Sequence, residues 1–124
     1  MVEIFFVSLG SILGANTRFE FQNKLEKFNL GNGFVILIIN TFASFFLGLF
    51  LSIIGKFSSF NYSNQLVLFF SIGFLGSLST FSSFVYELFD LCMQLKFLKA
   101  LKVSISSLSL GIISFALGFV LVNQ

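Results

Sequence analysis

Apolar residues in this chain fall into four long runs separated by short polar connectors. The runs cover positions 4–19 (extending as far as 25), 33–54, 66–93 and 101–122. Between them lie QNKLEKFNLGN, GKFSSFNYSNQ and QLKFLKALK. A hydrocarbon core about 30 Å thick is crossed by roughly 20 helical residues, so each run is long enough, or nearly so, for one span. None shows the short two-residue alternation of a membrane barrel, and backbone groups in lipid must be satisfied within the segment, which leaves helices. The pattern predicts an all-α integral membrane protein of four transmembrane helices, with residues 1–124 forming one unit.

Composition agrees with this pattern. Of 124 residues, 56% are hydrophobic, 10% are charged and 21 are Phe. A soluble domain carries about 25% charged residues. The lone Cys92 excludes an intramolecular disulfide and a multi-cysteine metal site. With no His in the chain, a His-based metal site and a Ser-His catalytic pair are excluded as well, and no enzyme is expected. A net charge of +2 is too small to imply nucleic-acid binding. The N-terminal run opens on Glu3 and lacks a basic leader, so it reads as the first membrane helix and not as a cleaved signal.

Charge sets an orientation. Arg18, Lys24, Lys27, Lys96, Lys99 and Lys102 flank the first and third connectors, whereas Lys56 alone flanks the second. Six against one predicts the two basic connectors inside and both termini outside the cytoplasm of a multi-pass cell inner or plasma membrane protein. Gly10 and Gly14, Ala43 and Ser44 with Gly48, Gly73 with Gly76 and Ser77, and Gly111 with Gly118 put small residues on every span. Small residues let helices approach closely in lipid, and their abundance favours a tight oligomer.

Polar residues within the runs carry the candidate chemistry. Asn40, deep in the second run, offers two N–H donors and one carbonyl; it fits either an interhelical hydrogen bond or an ion-facing amide. The stretch 76–84, GSLSTFSSF, places Gly76 and five hydroxyls (Ser77, Ser79, Thr80, Ser82, Ser83) at the centre of the third run. Single Ser and Thr residues usually bond back to the preceding turn, but so many together predict a weak or broken helix. A break would release carbonyl oxygens suited to a hard cation such as Na⁺. Phe81 and Phe84, three apart, would share a helix face and turn positive ring edges to an anion. Ser104, Ser106, Ser107 and Ser109 form a hydroxyl track on the fourth run whose pore-facing members the pattern does not separate. Glu87 and Asp90 read as solvated last-turn residues, and Arg18 either gathers anions at a vestibule or snorkels to the interface.

Three motifs resemble a known family. GSILGANTRF (10–19), INTFASFFLG (39–48) and GFLGSLSTFSSFVYE (73–87) resemble, in order, G-G-x-x-G-A-x-x-R-[YF], V-N-x-x-G-S-F-x-x-G and G-F-x-G-G-x-T-T-F-S-T-F-x-x-E of the Fluc/CrcB fluoride channels. The resemblance implies an antiparallel dimer of four-helix subunits with two fluoride pores, exporting F⁻ passively and lowering its toxicity. It implies a structural Na⁺ at the dimer interface on backbone carbonyls of Gly76 and Ser79. Asn40, Phe81, Phe84, Thr80 and Ser83 match the pore positions, and Arg18 the arginine of the first motif. Ser11, Ser77, Ser79 and Ala43 stand where the family's pattern has glycine or threonine.

A small dual-topology multidrug or guanidinium exporter also uses four-helix subunits, but it couples protons through an embedded carboxylate, and Glu3 is too near the terminus. A non-conducting structural subunit is the third reading. The lopsided charge adds an expectation of its own: a subunit fixed in one orientation requires an oppositely oriented paralogue, giving a heterodimer instead of a homodimer.

Overall fold

The structure, a computed structural model, describes residues 1–57, 59, 61 and 63–124. Ser58, Phe60 and Tyr62, in the second predicted connector, lie outside the described residues. The described residues are helices and turns without a strand.

Helix α1 spans Val2–Glu26 and α2 spans Asn32–Lys56. The third run forms a segmented rod: a turn of helix α3 (Ser63–Leu66), a π-helical stretch (Val67–Leu75), a further turn α4 (Gly76–Leu78), and α5 (Ser82–Met93). Helix α6 spans Phe97–Asn123, beginning before the predicted residue 101 because the polar QLKFLK needs only a tight turn. Three segments, Asn32–Lys56, Ser63–Met93 and Phe97–Asn123, are long and apolar enough to cross a membrane. The 25 residues of α1 match them in length, but Glu3, Asn16 and Arg18 dilute its hydropathy. The chain is a multi-pass membrane protein.

The helices pack as two close pairs. Helix α2 lies along α6, and α1 along the π-helical stretch; other contacts are lighter. Glycine decides both. A Cβ on Gly48 would run into the Phe115 carbonyl, and one on Gly118 into that of Phe45. In the other pair, Gly10 faces the Phe69 carbonyl and the Gly73 backbone, while Gly14 faces the Phe74 carbonyl. Backbone-to-backbone contact replaces the hydrophobic effect, which gives lipid-immersed helices no reason to associate.

Where the pairs meet, Val35, Ile39 and Ala43 of α2 bury against Leu75 and Leu78, with Leu25, Leu30, Leu47 and Phe74 packed around them. This small core sits directly beneath the end of α4, and so fixes the chain at the point where its helix stops.

Tight turns make neighbouring helices antiparallel. Asn29 and Leu95 take positive φ, 55° and 59°, at the ends of α1 and α5. After α5 the Lys96 N–H donates to the Leu91 carbonyl at 2.9 Å, closing the helix end. A crevice lined by Gly31, Lys99 and Lys102 shows that the α1–α2 and α5–α6 turns share one end of the bundle. At the other end the Lys56 ammonium donates to the Val122 carbonyl, joining the ends of α2 and α6.

Candidate ion-conducting site

The site begins with a lost helical hydrogen bond. Helix α4 ends at Leu78, Ser79 is extended (φ −72°, ψ 152°), and α5 starts at Ser82. Ser79 closes the preceding turn twice, its N–H and its hydroxyl each donating to the Leu75 carbonyl at 3.1 Å. In a continuous helix the next N–H, that of Thr80, would donate to the Gly76 carbonyl. Here it donates to Asn40 Oδ1 at 2.9 Å, and Asn40 Nδ2 donates back to the Thr80 carbonyl at 3.1 Å. One side-chain amide thus satisfies both backbone groups of a residue only 7% exposed. That is the condition for irregular backbone at membrane depth.

The hydroxyls after the interruption form a small network. Thr80 Oγ1 lies 3.2 Å from Ser82 Oγ and donates to Ser83 Oγ at 3.4 Å, while the Ser83 N–H donates to Thr80 Oγ1 at 3.4 Å. Thr80 therefore also answers one of the open N–H groups at the start of α5.

Two grooves flank this segment. An open groove of about 330 Å³ is lined by Asn40, Ser44, Ser79, Thr80, Phe81, Phe84, Ser107, Leu108, Gly111 and Ile112. Phe81 precedes the first residue of α5 and is 77% exposed; its ring lies 6.3 Å from that of Phe84, tilted by 44°. The two rings are neighbours, although Phe81 stands outside the helix that holds Phe84. A second, more polar groove of about 400 Å³ is lined by Gln22, Glu26, Asn32, Val35, Ile36, Ser82, Ser83, Tyr86 and Glu87. Ser83 opens onto this groove and not onto the one with the rings.

Of the remaining candidates, Gly76 is exposed and Ser79 partly buried. Arg18 is half-buried on α1, one turn before Gln22 on the same face, and lines neither groove. The described residues hold no cluster of His, Cys, Asp or Glu able to bind a metal. Among the serines of the fourth run, Ser107 joins the ring-lined groove. Sequence reasoning assigned Ser44 and Gly111 to packing and passed over Gln22 and Tyr86. The signal for Ser44 was its place one turn after Asn40; Tyr86 carried none that set it apart from other interfacial aromatics.

A family model described as CrcB-like protein, Camphor Resistance (CrcB), matches residues 5–119. The chain belongs to the CrcB family. A protein of Prochlorococcus marinus (strain NATL2A) named Fluoride-specific ion channel FluC 2 is 64% identical over 124 residues, covering 100% of both chains. Fluoride-specific ion channel FluC 1 of Prochlorococcus marinus (strain MIT 9313) is 32% identical, covering 94% of this chain and 89% of its own. Fluoride-specific ion channel FluC of Ignicoccus hospitalis is 36% identical over 95% of this chain and 93% of its own. The family read from the three motifs is borne out. The serine at position 77 of this CrcB chain is accommodated by Gly14: its Oγ fills the space a Cβ there would take, and donates to the Phe74 carbonyl at 3.1 Å.

Proposed function

We propose that the chain is a subunit of a fluoride channel that lets F⁻ leave the cytoplasm passively. The single observation that carries this reading is the reciprocal Asn40–Thr80 pair, which holds non-helical backbone beside Phe81, Phe84 and a row of hydroxyls. Fluoride is small and strongly hydrated, so a path must replace its water with donors that do not trap it. Hydroxyls of Thr80, Ser44 and Ser107 offer O–H donors, and the rings offer positive edges without a fixed charge. The polar groove with Ser83 and Gln22 is the mouth at the basic end, with Arg18 one turn deeper on α1. HF enters cells neutral and ionises within, so passive exit of the ion suffices. The relatives named as fluoride-specific ion channels support this reading, and no enzymatic step is part of it. Liposomes loaded with potassium fluoride test it: the protein releases fluoride on addition of a potassium ionophore, Phe81→Ile and Asn40→Ala lose most of that flux, and unchanged flux in both variants refutes the assignment.

The interruption at 79–81 also suits a structural Na⁺. With the Thr80 N–H turned to Asn40, the Gly76 carbonyl lacks its helical donor, and Gly76 lies on the exposed side of the rod. The carbonyls of Gly76 and Ser79 would hold the ion, and an antiparallel second subunit would double the oxygens around it. The cation would neutralise carbonyl dipoles at the interface and fix the two rods together.

The third element of the reading is a fixed orientation. The structure gathers the flanking cations at one end, opposite Lys56, and that asymmetry favours a subunit that inserts one way and pairs with an oppositely oriented paralogue. Relatives numbered 1 and 2 suit such a pair. A C-terminal tag labelled from one side of the membrane tests it; an equal split between the two sides contradicts it.

A further inference from the structure

At the basic end a third crevice, of about 410 Å³, opens between α2, α5 and α6. Its walls are apolar (Phe34, Leu37, Leu91, Val103) and its rim carries Lys99 and Lys102. Both lysines are exposed, and among the described residues neither ammonium forms an ion pair. The first turn of α6 has no acidic residue to offset them. Glu87 lines one side, where its carboxylate rests against Gly33 in the first turn of α2: a Cβ there would lie 3.2 Å from Oε2. The crevice is therefore cationic at its mouth and greasy along its length, with one carboxylate on its wall beside Gly33.

Depth decides what such a crevice receives. From Lys102 to Asn123 α6 rises about 30 Å, the thickness of a hydrocarbon core. With the far end of α6 at one boundary, Lys102 stands at the other, where its long side chain reaches out to the lipid phosphates. A soluble phosphate would use the lysines and leave the walls bare. An acidic peptide would bring backbone N–H and C=O groups that Phe34, Leu37 and Val103 leave unpaired. An anionic glycerophospholipid matches both parts.

We propose that this crevice binds one anionic glycerophospholipid, its phosphate on Lys99 and Lys102 and an acyl chain along Phe34, Leu37 and Val103. Juxtamembrane lysines attract anionic leaflets in general; the crevice makes this attraction a site.

Thermal unfolding of the purified full chain in an uncharged detergent tests the site. Added phosphatidylglycerol is expected to raise Tm by several degrees, and phosphatidylcholine with the same acyl chains by less than half as much. Lys99→Gln with Lys102→Gln erases the difference between the lipids while keeping the lipid-free Tm, since both side chains are exposed. Lys24→Gln with Lys27→Gln, at the same end but outside the crevice, keeps the difference. Glycerol phosphate without acyl chains gives no shift. Equal shifts with both lipids, a surviving difference in the Lys99/Lys102 variant, a lost difference in the Lys24/Lys27 variant, or a full shift with glycerol phosphate each overturn the proposal.

Discussion

The two halves of the segmented rod are built on opposite principles. Before the interruption, residues 66–78 are largely apolar and locked to α1 through Gly10, Gly14 and Gly73, where carbonyls approach too closely for any side chain. After it, α5 is amphipathic, with Leu91 as its buried residue, and it touches α2 and α6 lightly. One half gives the fold its rigidity, and the other presents hydroxyls, rings and carboxylates to open grooves. Asn40 joins them by hydrogen-bonding the residue between. A membrane protein with little interior thus separates support from chemistry along one run of sequence.

The strongest way to break the comparison is to attack the rigid half. Gly10→Leu forces side-chain atoms into the Phe69 carbonyl; overpacking of this kind typically costs about 1–3 kcal/mol, and a backbone neighbour that cannot rotate away places it at the upper end. Size-exclusion profiles are expected to show loss of monodisperse protein. Enlarging an exposed side chain of α5, as in Val85→Leu, leaves the profile intact.

Next comes the joint. Asn40→Ala leaves the N–H and C=O of buried Thr80 without partners, at about 1–3 kcal/mol for each. Thermal unfolding is expected to drop accordingly, and fluoride flux with it.

In the open half, function and stability should separate. Phe81 is 77% exposed, so Phe81→Ile stays within about 0.5 kcal/mol of wild type in stability. Its fluoride flux is nevertheless expected to fall at least about tenfold, which corresponds to roughly 1.4 kcal/mol in the barrier. A Phe81 variant that unfolds as readily as Asn40→Ala would show that the ring is packing after all.

The smallest effect lies at the end of α5. Leu95 holds a left-handed conformation that favours glycine. Leu95→Gly is expected to raise stability by about 0.5–1 kcal/mol, read as a small rise in Tm without change in flux.

Much of this architecture was legible because lipid imposes simple rules. Run length gave the helices, and counting lysines grouped the two basic turns that the structure brings to one end. Glycines at close spacing marked the packing faces, yet their partners were unreadable: nothing in the sequence pairs Gly48 with Gly118 or Gly10 with Gly73, since a contact between backbones leaves no side-chain signature. The π-helical stretch was invisible for a related reason, being set by how 67–75 settles on α1 and not by a composition of its own. Asn40 stood out as a polar residue at depth, with its use left open between bundle glue and ion-facing amide. The structure spends it on Thr80, a partner 40 residues away in sequence, and so makes it the support of the groove. Ser83 matched a pore position by motif, and the structure places it in the polar groove with Gln22, next to the groove that holds the rings.

Fluoride flux from liposomes, measured side by side for wild type, Phe81→Ile and Asn40→Ala with folded protein quantified in each, is the most direct test of a support half joined to a conducting half. The account predicts fluoride release without chloride release in the wild type, lost flux with intact folding in Phe81→Ile, and lost flux with lowered stability in Asn40→Ala. Wild-type fluoride flux that persists in both variants would contradict it.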